Sequence, residues 1–455
     1  MYDLIISGGT VVTESGVRHG DLAVTDGKVA AILPRRHGAE AREVADARGC
    51  YVLPGLIDPH VHLNLGPPAE EQYRETATAA MGGVTTVMHM LQTTRPYEEI
   101  FEHERQQGER EAYVDFGYHF VLLTAEQVQA IPRYVTEFGV TSFKHMMHIK
   151  GAEGRYLGIE QGTDDGHFYA ILKTLGRFPH TVLAVHPENI EIIWRVQEEI
   201  KATQRVDLAA YTEARPAVAE AIAIEMTMAL SRATGGAVYI VHLSSGLGLE
   251  AYKRQQAITE RAFLETCPQY LTHTMDSELG VIGKVNPPLR TAADNEALWG
   301  AILDGTIDTI GSDHVPRRLE RKQGTIWQAS AGYPGIATIL PVLVSEGVHK
   351  RSLPWERLVQ ITSTNTARVF GLYPQKGSLQ PGADADVVVV DPEREHTITA
   401  GELQSFSDYS IYDGWKVKGW PVATYVRGEL VMREGELVGR AGHGRFLARS
   451  AFTQV

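Results

Sequence analysis

The sequence predicts an α/β protein with the architecture of a (β/α)8 barrel of the TIM type, beside a small β-sandwich that the two ends of the chain form together. Three observations predict it. A chain of 455 residues suits a large barrel with an accessory domain. Short apolar runs alternate with longer amphipathic segments through the middle, and strand-like sequences with glycine turns stand on both sides. We therefore predict sandwich segments at 1–54 and 376–455 and a barrel at 55–375.

The two end segments share a sequence pattern that is typical of short β-strands joined by turns. The N-terminal pieces DLIISGGTVV, DLAVTDGKVAAIL and CYVLPGLID combine β-branched runs with Gly or Asp-Gly breaks. The C-terminal pieces KGSLQPGADADVVVVDP and ATYVRGELVMREGELVG alternate apolar and polar residues around glycine turns. We expect both segments to pair into one sandwich.

The middle of the chain alternates strand with helix. Apolar runs include GLIDPHVHL, GVTTVMHM, DFGYHFVLL, VTSFKHMM, TVLAVHPEN, AVYIVHLSS and IDTIGSDHV. Helix-like stretches such as ENIEIIWRVQEEIKATQ and RPAVAEAIAIEMTMALSRATG separate them. Seven or eight such units in roughly 320 residues fit a (β/α)8 barrel with insertions.

Composition excludes several classes of protein. The net charge of −13 argues against binding to nucleic acid or to an anionic membrane. No apolar stretch has the length of a membrane span, and the N-terminus lacks the pattern of a signal peptide. Cys50 and Cys267 show no CxxC spacing, so we expect no disulfide and a cytoplasmic location.

Five residues with metal-binding side chains end predicted strands. His60 and His62 lie two apart, so on a strand both imidazoles face the same way. An HxH pair alone is weak evidence, but His186, His242 and Asp313 also end apolar, β-branched runs. In a (β/α)8 barrel these strand ends form the face that carries active sites. The pattern predicts a metal site rather than core packing, where each side chain would need a buried partner.

The motifs GLIDPHVH, SFK, VHPEN, IVHLSS and SDHVP, in this order, resemble those of the amidohydrolase superfamily. The similarity covers nearly the whole chain. It is greatest to the cyclic amidohydrolases: dihydropyrimidinase or hydantoinase, allantoinase and dihydroorotase.

The resemblance implies a two-metal centre. His60, His62 and Asp313 would hold the more buried ion, and His186 and His242 the more exposed one. A free lysine is a poor ligand. The resemblance nevertheless makes Lys144 a CO2-derived carbamate that bridges both ions together with a hydroxide. Zinc suits these ligands, with Mn²⁺ or Co²⁺ as alternatives.

Asp313 is also the expected catalytic residue. Its free carboxylate oxygen can take a proton from the attacking hydroxide and deliver it to the leaving nitrogen. The two cations would lower the pKa of water and stabilise the oxyanion that forms on the amide carbonyl.

The substrate residues depart from each subfamily. Hydantoinases carry a tyrosine five residues after the bridging lysine, where this chain has Ile149; His148 and Tyr156 are alternatives nearby. No arginine follows HxH, which argues against dihydroorotate because a carboxylate needs a charged partner. By resemblance, Asn286 in GKVNPPLR would hydrogen-bond an imide or ureide. We expect Cys267 near the site but not as a nucleophile.

Nearby polar residues are expected to play supporting roles. His89, His119 and His145 should pack, and His314 should face away from the site. Asp58 could orient a ligand histidine.

Three functions stay open at this point. The first is hydrolysis of a small cyclic amide, imide or ureide, such as a hydantoin or dihydropyrimidine. The second is an allantoinase or a related amidohydrolase with an atypical substrate. The third is a non-catalytic scaffold, which retention of all six ligand positions disfavours. The resemblance also suggests a homotetramer or homodimer.

Overall fold

The computed structural model describes residues 1–35, 37–159, 162–259 and 261–449. The last six residues of the predicted C-terminal segment lie outside the described residues. So does the side chain of Tyr156, one of the predicted alternatives to the missing tyrosine.

Strands occupy both ends of the chain and recur singly through its middle. In chain order they are β1 Tyr2–Ser7, β2 Thr10–Thr13, β3 Gly16–His19, β4 Asp21–Thr25, β5 Lys28–Leu33, β6 Ala41–Asp46, β7 Tyr51–Pro54, β8 Leu56–Val61, β9 Val84–Leu91, β10 Asp115–Val121, β11 Ser142–Met146, β12 Val182–His186, β13 Ala237–Ile240, β14 Ala262–Thr266, β15 Thr309–Ile310, β16 Val387–Thr397, β17 Lys416–Val426, β18 Glu429–Arg433 and β19 Glu436–Leu437.

Helices separate the strands of the middle part. They are α1 Thr76–Met81, α2 Phe101–Glu111, α3 Ala125–Gln129, α4 Ile131–Thr136, α5 Gly151–Tyr156, α6 Asp165–Leu175, α7 Ile190–Ala202, α8 Leu208–Glu213, α9 Ala217–Thr234, α10 Gly246–Gln256, α11 Gln269–Thr272, α12 Ala292–Leu303, α13 Ile339–Val342, α14 Trp355–Val359 and α15 Asn365–Val369. Shorter 3-10 or π-type turns cover Ala69–Glu75, Tyr97–Glu99, Gly280–Gly283, Leu319–Lys322, Ile336–Thr338, Leu343–His349, Gln360–Thr364 and Ala400–Leu403.

The eight central strands form a closed barrel. Strands β8 to β15 pair in sequential order, and every pairing is parallel. A parallel bridge between Val61 and His314 joins the first strand to the chain after the last. Strands such as β12 and β13 are buried along their whole length, as their unbroken apolar sequences predict for a sheet covered by helices. The predicted (β/α)8 barrel is confirmed.

The two ends of the chain build the accessory sheets together. A four-stranded sheet has the order β5-β4-β1-β6, and a seven-stranded sheet has the order β19-β18-β17-β16-β7-β2-β3. In the second sheet the C-terminal β16 pairs antiparallel with the N-terminal β7. Both sheets contribute to one core, which includes Leu4, Val24, Val52, Val387 and Tyr425. The predicted sandwich of the two ends is confirmed, whereas the boundaries 1–54, 55–375 and 376–455 stay a prediction.

A buried ionic cluster links the barrel to the C-terminal segment. The ammonium of Lys376 lies 2.5 Å from Asp115 of β10, 2.7 Å from Asp386 and 3.0 Å from Asp384. Arg427 also pairs with Asp115. Burial would raise the pKa of Asp115, but the charges of Lys376 and Arg427 hold it below its ordinary value.

Membrane-spanning character is absent from the helices that the structure describes. None of them combines the length and the apolar character that a bilayer crossing needs.

Candidate active site

A cavity of about 880 Å³ lies at the C-terminal ends of the barrel strands. All six predicted metal residues line it: His60, His62, Lys144, His186, His242 and Asp313. Five of them come from a strand end or from the residues just after one, and Lys144 lies within β11, so the parallel sheet brings all six to the same cavity.

His60, His62 and Asp313 form the tightest group. One ligand atom from each lies within 4.8 Å of the others. Oδ1 of Asp313 is 3.3 Å from Nε2 of His60 and 3.4 Å from Nε2 of His62. Burial alone would raise the pKa of Asp313, but the two imidazoles lower it below its ordinary value. The three side chains can hold one metal ion.

His186 and His242 form a second group. Nδ1 of His186 and Nε2 of His242 lie 2.8 Å apart, so two nitrogens converge on one point. The other nitrogen of His186 donates to Glu188 at 2.7 Å, and Arg215 pairs with the same carboxylate at 2.6 Å. A carboxylate behind an imidazole fixes its tautomer and orientation, as is usual for metal-binding histidines.

Lys144 stands between these groups as an unpartnered amine. Its side chain is fully buried, and among the described residues Nζ has no hydrogen-bond partner. Burial lowers the pKa of Lys144 to about 8, against the pull of Glu265 and Asp313. An isolated buried ammonium is costly, so this environment suits a lysine that is neutral or chemically modified.

Two of the candidate ligands have unusual backbones. His242 has φ 41° and Asp313 has φ 51°, in the left-handed region that residues other than glycine rarely adopt. Such strain persists where surrounding structure enforces it, and it concentrates at functional sites.

Glu265 supports the site, and the sequence analysis missed it. Its carboxylate accepts from Nδ1 of His60 at 2.9 Å, from the backbone N–H of His242 at 2.9 Å and from the hydroxyl of Tyr239 at 2.8 Å. Burial raises the pKa of Glu265 to about 7, although the hydrogen bonds from His242 and Tyr239 oppose it. The available signal was a carboxylate inside the apolar strand β14, two residues before Cys267.

Asp58 and His314 stand behind the cavity wall. Asp58 accepts from the backbone N–H of His60 at 3.0 Å and from that of Ser312 at 3.1 Å, so it positions backbone rather than an imidazole. The ring of His314 is buried and lies 3.0 Å from Glu75. Neither residue lines the cavity.

The predicted substrate residues differ in their placement. Ile149 and Asn286 line the cavity, and the amide oxygen of Asn286 accepts a hydrogen bond from Tyr211. His148 also lines it, with its ring centre 4.2 Å from that of His186. Cys267 is fully buried with its sulfur 3.9 Å from Glu265, and it is not among the described residues that line the cavity. Substrate contact by Cys267 therefore stays a prediction.

Three arginines that the sequence did not indicate as site residues also line the cavity. They are Arg317, Arg318 and Arg321, and they follow Asp313 in the chain. Sequence alone could not assign them to the site, because only the fold shows that residues 317–321 reach the same cavity.

Comparison with known proteins agrees with this geometry. The model of the amidohydrolase family matches residues 51–431. The chain belongs to the amidohydrolase family. It is 34% identical to an L-hydantoinase of Paenarthrobacter aurescens, over 99% of this chain and 98% of that protein. It is 32% identical to a D-hydantoinase of Geobacillus stearothermophilus, over 98% of this chain and 97% of that protein.

The fold of this amidohydrolase also matches that of a relative whose structure is solved. The L-hydantoinase (dihydropyrimidinase) from Arthrobacter aurescens superimposes with a TM-score of 0.92 and 33% identity, covering 99% of this chain and all of that one. These matches make the protein a hydrolase of the cyclic-amide class.

Proposed function

We propose that this amidohydrolase opens a hydantoin or dihydropyrimidine ring by adding water across a ring C–N bond. The observation that carries the proposal is the convergence of five strand-end ligands and the buried amine of Lys144 on one cavity. The names of the relatives, L-hydantoinase and D-hydantoinase, support the choice of ring.

The residues of the cavity fit two divalent metal ions. His60, His62 and Asp313 would hold one ion, and His186 and His242 the other. Lys144 would join the two as a carbamate, which gives its otherwise unpartnered nitrogen a function. When bound, such ions polarise a carbonyl group and lower the pKa of water. Zinc is the preferred candidate, with Mn²⁺ or Co²⁺ as alternatives.

The side chains of this chain account for the proton transfers. The oxygen of the attacking water bonds to the ring carbonyl carbon, and Asp313 takes a proton from this water. The ring C–N bond then breaks, and Asp313 returns the proton to the departing nitrogen. Asn286 and the neighbouring backbone would hydrogen-bond the ring and hold it against the cavity wall.

One observation favours a related substrate as the second candidate. Ile149 lines the cavity at the position where hydantoinases carry a tyrosine, so that hydroxyl is missing here. An allantoinase or an amidohydrolase with an atypical ring is therefore the alternative. A homodimer or homotetramer and a cytoplasmic location stay predictions of the sequence.

Metal analysis and a substrate panel test the proposal together. We expect about two metal ions per chain. We expect the enzyme to open the ring of at least one compound in a panel, with absorbance used to monitor the reaction. The panel contains hydantoin, 5-substituted hydantoins, dihydrouracil, allantoin, dihydroorotate and succinimide. A metal-free protein that stays inactive on the panel after addition of Zn²⁺ or Mn²⁺ with bicarbonate would overturn it.

Lys144→Ala tests the bridging role separately. We expect this variant to lose metal and at least about a hundredfold in activity, because both ions lose a shared ligand. Lys150→Ala is the matched control, since Lys150 pairs with Asp165 and Glu191 outside the ligand set. Full metal content and activity in Lys144→Ala would contradict the carbamate.

A further inference from the structure

A basic loop lines one side of the cavity. We use this name for residues 317–322, which contain Arg317, Arg318, Arg321, Lys322 and one acid, Glu320. The three arginines face the cavity, in a chain whose net charge is −13. A concentration of positive charge at the site of an acidic protein calls for a physical reason.

The backbone of the basic loop is held in place from several sides. Ser407 donates to the carbonyl of Arg317 at 2.7 Å, and the N–H of Leu319 donates to Asp408 at 2.7 Å. The buried ammonium of Lys322 donates to the carbonyl of Lys284 at 3.0 Å. These anchors make the loop a fixed part of the cavity wall rather than a free surface segment.

The head groups of Arg318 and Arg321 are positioned, but no described carboxylate neutralises them. The guanidinium of Arg318 lies 4.6 Å from the ring centre of Phe406, which also lines the cavity. Among the described residues, no carboxylate lies within 4.0 Å of the guanidinium of Arg318 or Arg321, and Glu320 in the same loop is no exception. Arg317 donates to the carbonyl of Ala331 at 3.0 Å. Two cations of the wall are therefore available to a ligand.

The cavity is large enough to bring a substrate to these cations. Its volume of about 880 Å³ is that of a site for a drug-sized molecule, whereas a single five- or six-membered ring fills a small part of it. The ring belongs at the histidines and Asp313. A substituent on the ring can then extend toward the arginines.

Besides Glu320, the cavity wall contains the acidic residue Glu153, which lies outside the basic loop. Glu153 belongs to α5, and Nε2 of His148 lies 3.7 Å from its carboxylate. Negative charge in the cavity outside the metal ligands is thus confined to Glu153 and Glu320 among its described lining residues. Three guanidinium groups outnumber them.

We propose that the substrate is a ring whose side chain ends in a carboxylate, and that Arg318 and Arg321 bind this carboxylate. Planar guanidinium groups match a carboxylate with paired hydrogen bonds, which is why arginine is used for this recognition. The inference rests on the ring opening proposed above, and it assigns the substrate to the hydantoins of acidic amino acids.

A pair of substrates that differ in one group tests the proposal. We expect the metal-loaded enzyme to hydrolyse 5-(2-carboxyethyl)hydantoin with a kcat/KM about tenfold above that for 5-(2-carbamoylethyl)hydantoin, because only the carboxylate makes charge-assisted contacts with the two arginines. The difference should reside in KM and should shrink as salt is added, since the arginines are exposed.

Arginine variants identify the groups responsible. Arg318→Gln and Arg321→Gln should each lower the ratio of the two kcat/KM values, and the double variant should bring it to about one. Arg318→Lys should retain part of the ratio, because it keeps the charge and loses the planar fork. Arg195→Gln, at an exposed position on α7, is the matched control and should leave the ratio unchanged.

Binding of a product mimic separates this inference from the ring opening itself. Calorimetry should show N-carbamoylglutamate binding to the metal-loaded enzyme more tightly than N-carbamoylglutamine, and the double variant should lose the difference. Equal kcat/KM for the two hydantoins, with equal binding of the two mimics, overturns the carboxylate proposal and leaves ring opening intact. Inactivity on every hydantoin overturns the ring opening, and the calorimetry then decides the role of the arginines independently.

Discussion

In the proposed mechanism, single residues would divide the work of the site between ligation, orientation and proton transfer. His60 contacts Asp313 through one ring nitrogen and Glu265 through the other. His186 does the same between His242 and Glu188. In each case a buried carboxylate fixes the imidazole, so its free nitrogen points into the cavity before any metal binds.

Asp313→Asn tests proton transfer at the residue scale. We expect the variant to retain metal, since its amide oxygen can still ligate, and to lose about 10²–10⁴-fold in kcat because an amide cannot carry the proton. Metal content and kcat measured on the same preparation check this. A normal kcat in the Asp313→Asn variant would remove Asp313 from the proton path.

Glu265→Gln tests the orienting role. The variant keeps the size of the side chain but weakens its acceptance from His60 and His242, so we expect metal affinity to fall about 10–100-fold. Dialysis against a graded chelator measures it. Asp308→Asn is the control. The carboxylate of Asp308 accepts a hydrogen bond from the backbone N–H of Leu264, which lies beside Glu265 in β14, and the bond involves no candidate metal ligand. Equal metal retention in both variants would count against the orienting role.

Loops at the strand ends determine the shape of the cavity. Gly66 in the loop after β8 touches the loop that carries Asp313 and the arginines. A Cβ at Gly66 would overlap the carbonyl oxygen of Pro316 and lie 2.6 Å from its carbonyl carbon. Both obstacles are backbone atoms, so they cannot move aside as a flexible side chain could.

Gly66→Ala is therefore expected to shift these two loops apart. We predict a fall in kcat and a rise in KM together, with a loss of about 1–3 kcal/mol in stability from the overlap. Steady-state kinetics and thermal unfolding measure both effects. Gly300→Ala on α12 is the matched control, because its Cβ meets nothing within 4 Å and alanine favours a helix. Wild-type kinetics in Gly66→Ala would show that the loops tolerate the extra atom.

The whole molecule depends on contacts between distant parts of the chain. Strands from both ends share one sheet, and the cluster around Lys376 ties the C-terminal segment to β10. The carboxylates of this cluster are buried, so their charges need the cations of Lys376, Arg427 and Lys28 that pair with them.

Lys376→Met should destabilise the protein by about 3–5 kcal/mol at neutral pH, because it leaves the buried Asp386 without a charged partner and Asp115 with Arg427 alone. The pKa of Asp115 is lowered in the folded state, so its contribution to wild-type stability is present above the unfolded pKa and is lost as pH falls through the folded value. In the variant, protonation instead relieves the carboxylate charge that Lys376 no longer balances. The difference in Tm between wild type and variant should therefore shrink from pH 7 toward pH 4.

Calorimetry across this pH range checks the prediction. Lys418→Met is the control, since Lys418 pairs with Glu393 on the exposed surface, and its Tm should follow wild type at every pH. A constant Tm difference for Lys376→Met would show that lost packing, not charge, explains the effect.

The sequence predicted the barrel because its fold depends on local pattern, and the same pattern selected the candidate ligands, whose binding of metal stays a prediction. Unbroken apolar runs such as those of β12 and β13 specify buried parallel strands, and a polar residue at their ends stands out. Glu265 was missed because a carboxylate within a strand has no meaning until the neighbouring strands bring His60 and His242 to it. Arg318 and Arg321 were missed because loop residues show no periodicity that reveals where they point.

By itself, then, the sequence determined the fold class and the level of the barrel at which the histidines and Asp313 meet. Strand order and the parallel direction follow from hydrophobic pattern, and they place every strand end on one face. The tertiary structure alone decided which groups surround those candidate ligands: Glu265 behind His60, Lys144 with no hydrogen-bond partner among the described residues, and the basic loop in the cavity wall. These contacts join residues far apart in the chain, and their energies depend on burial and distance, which no local pattern contains.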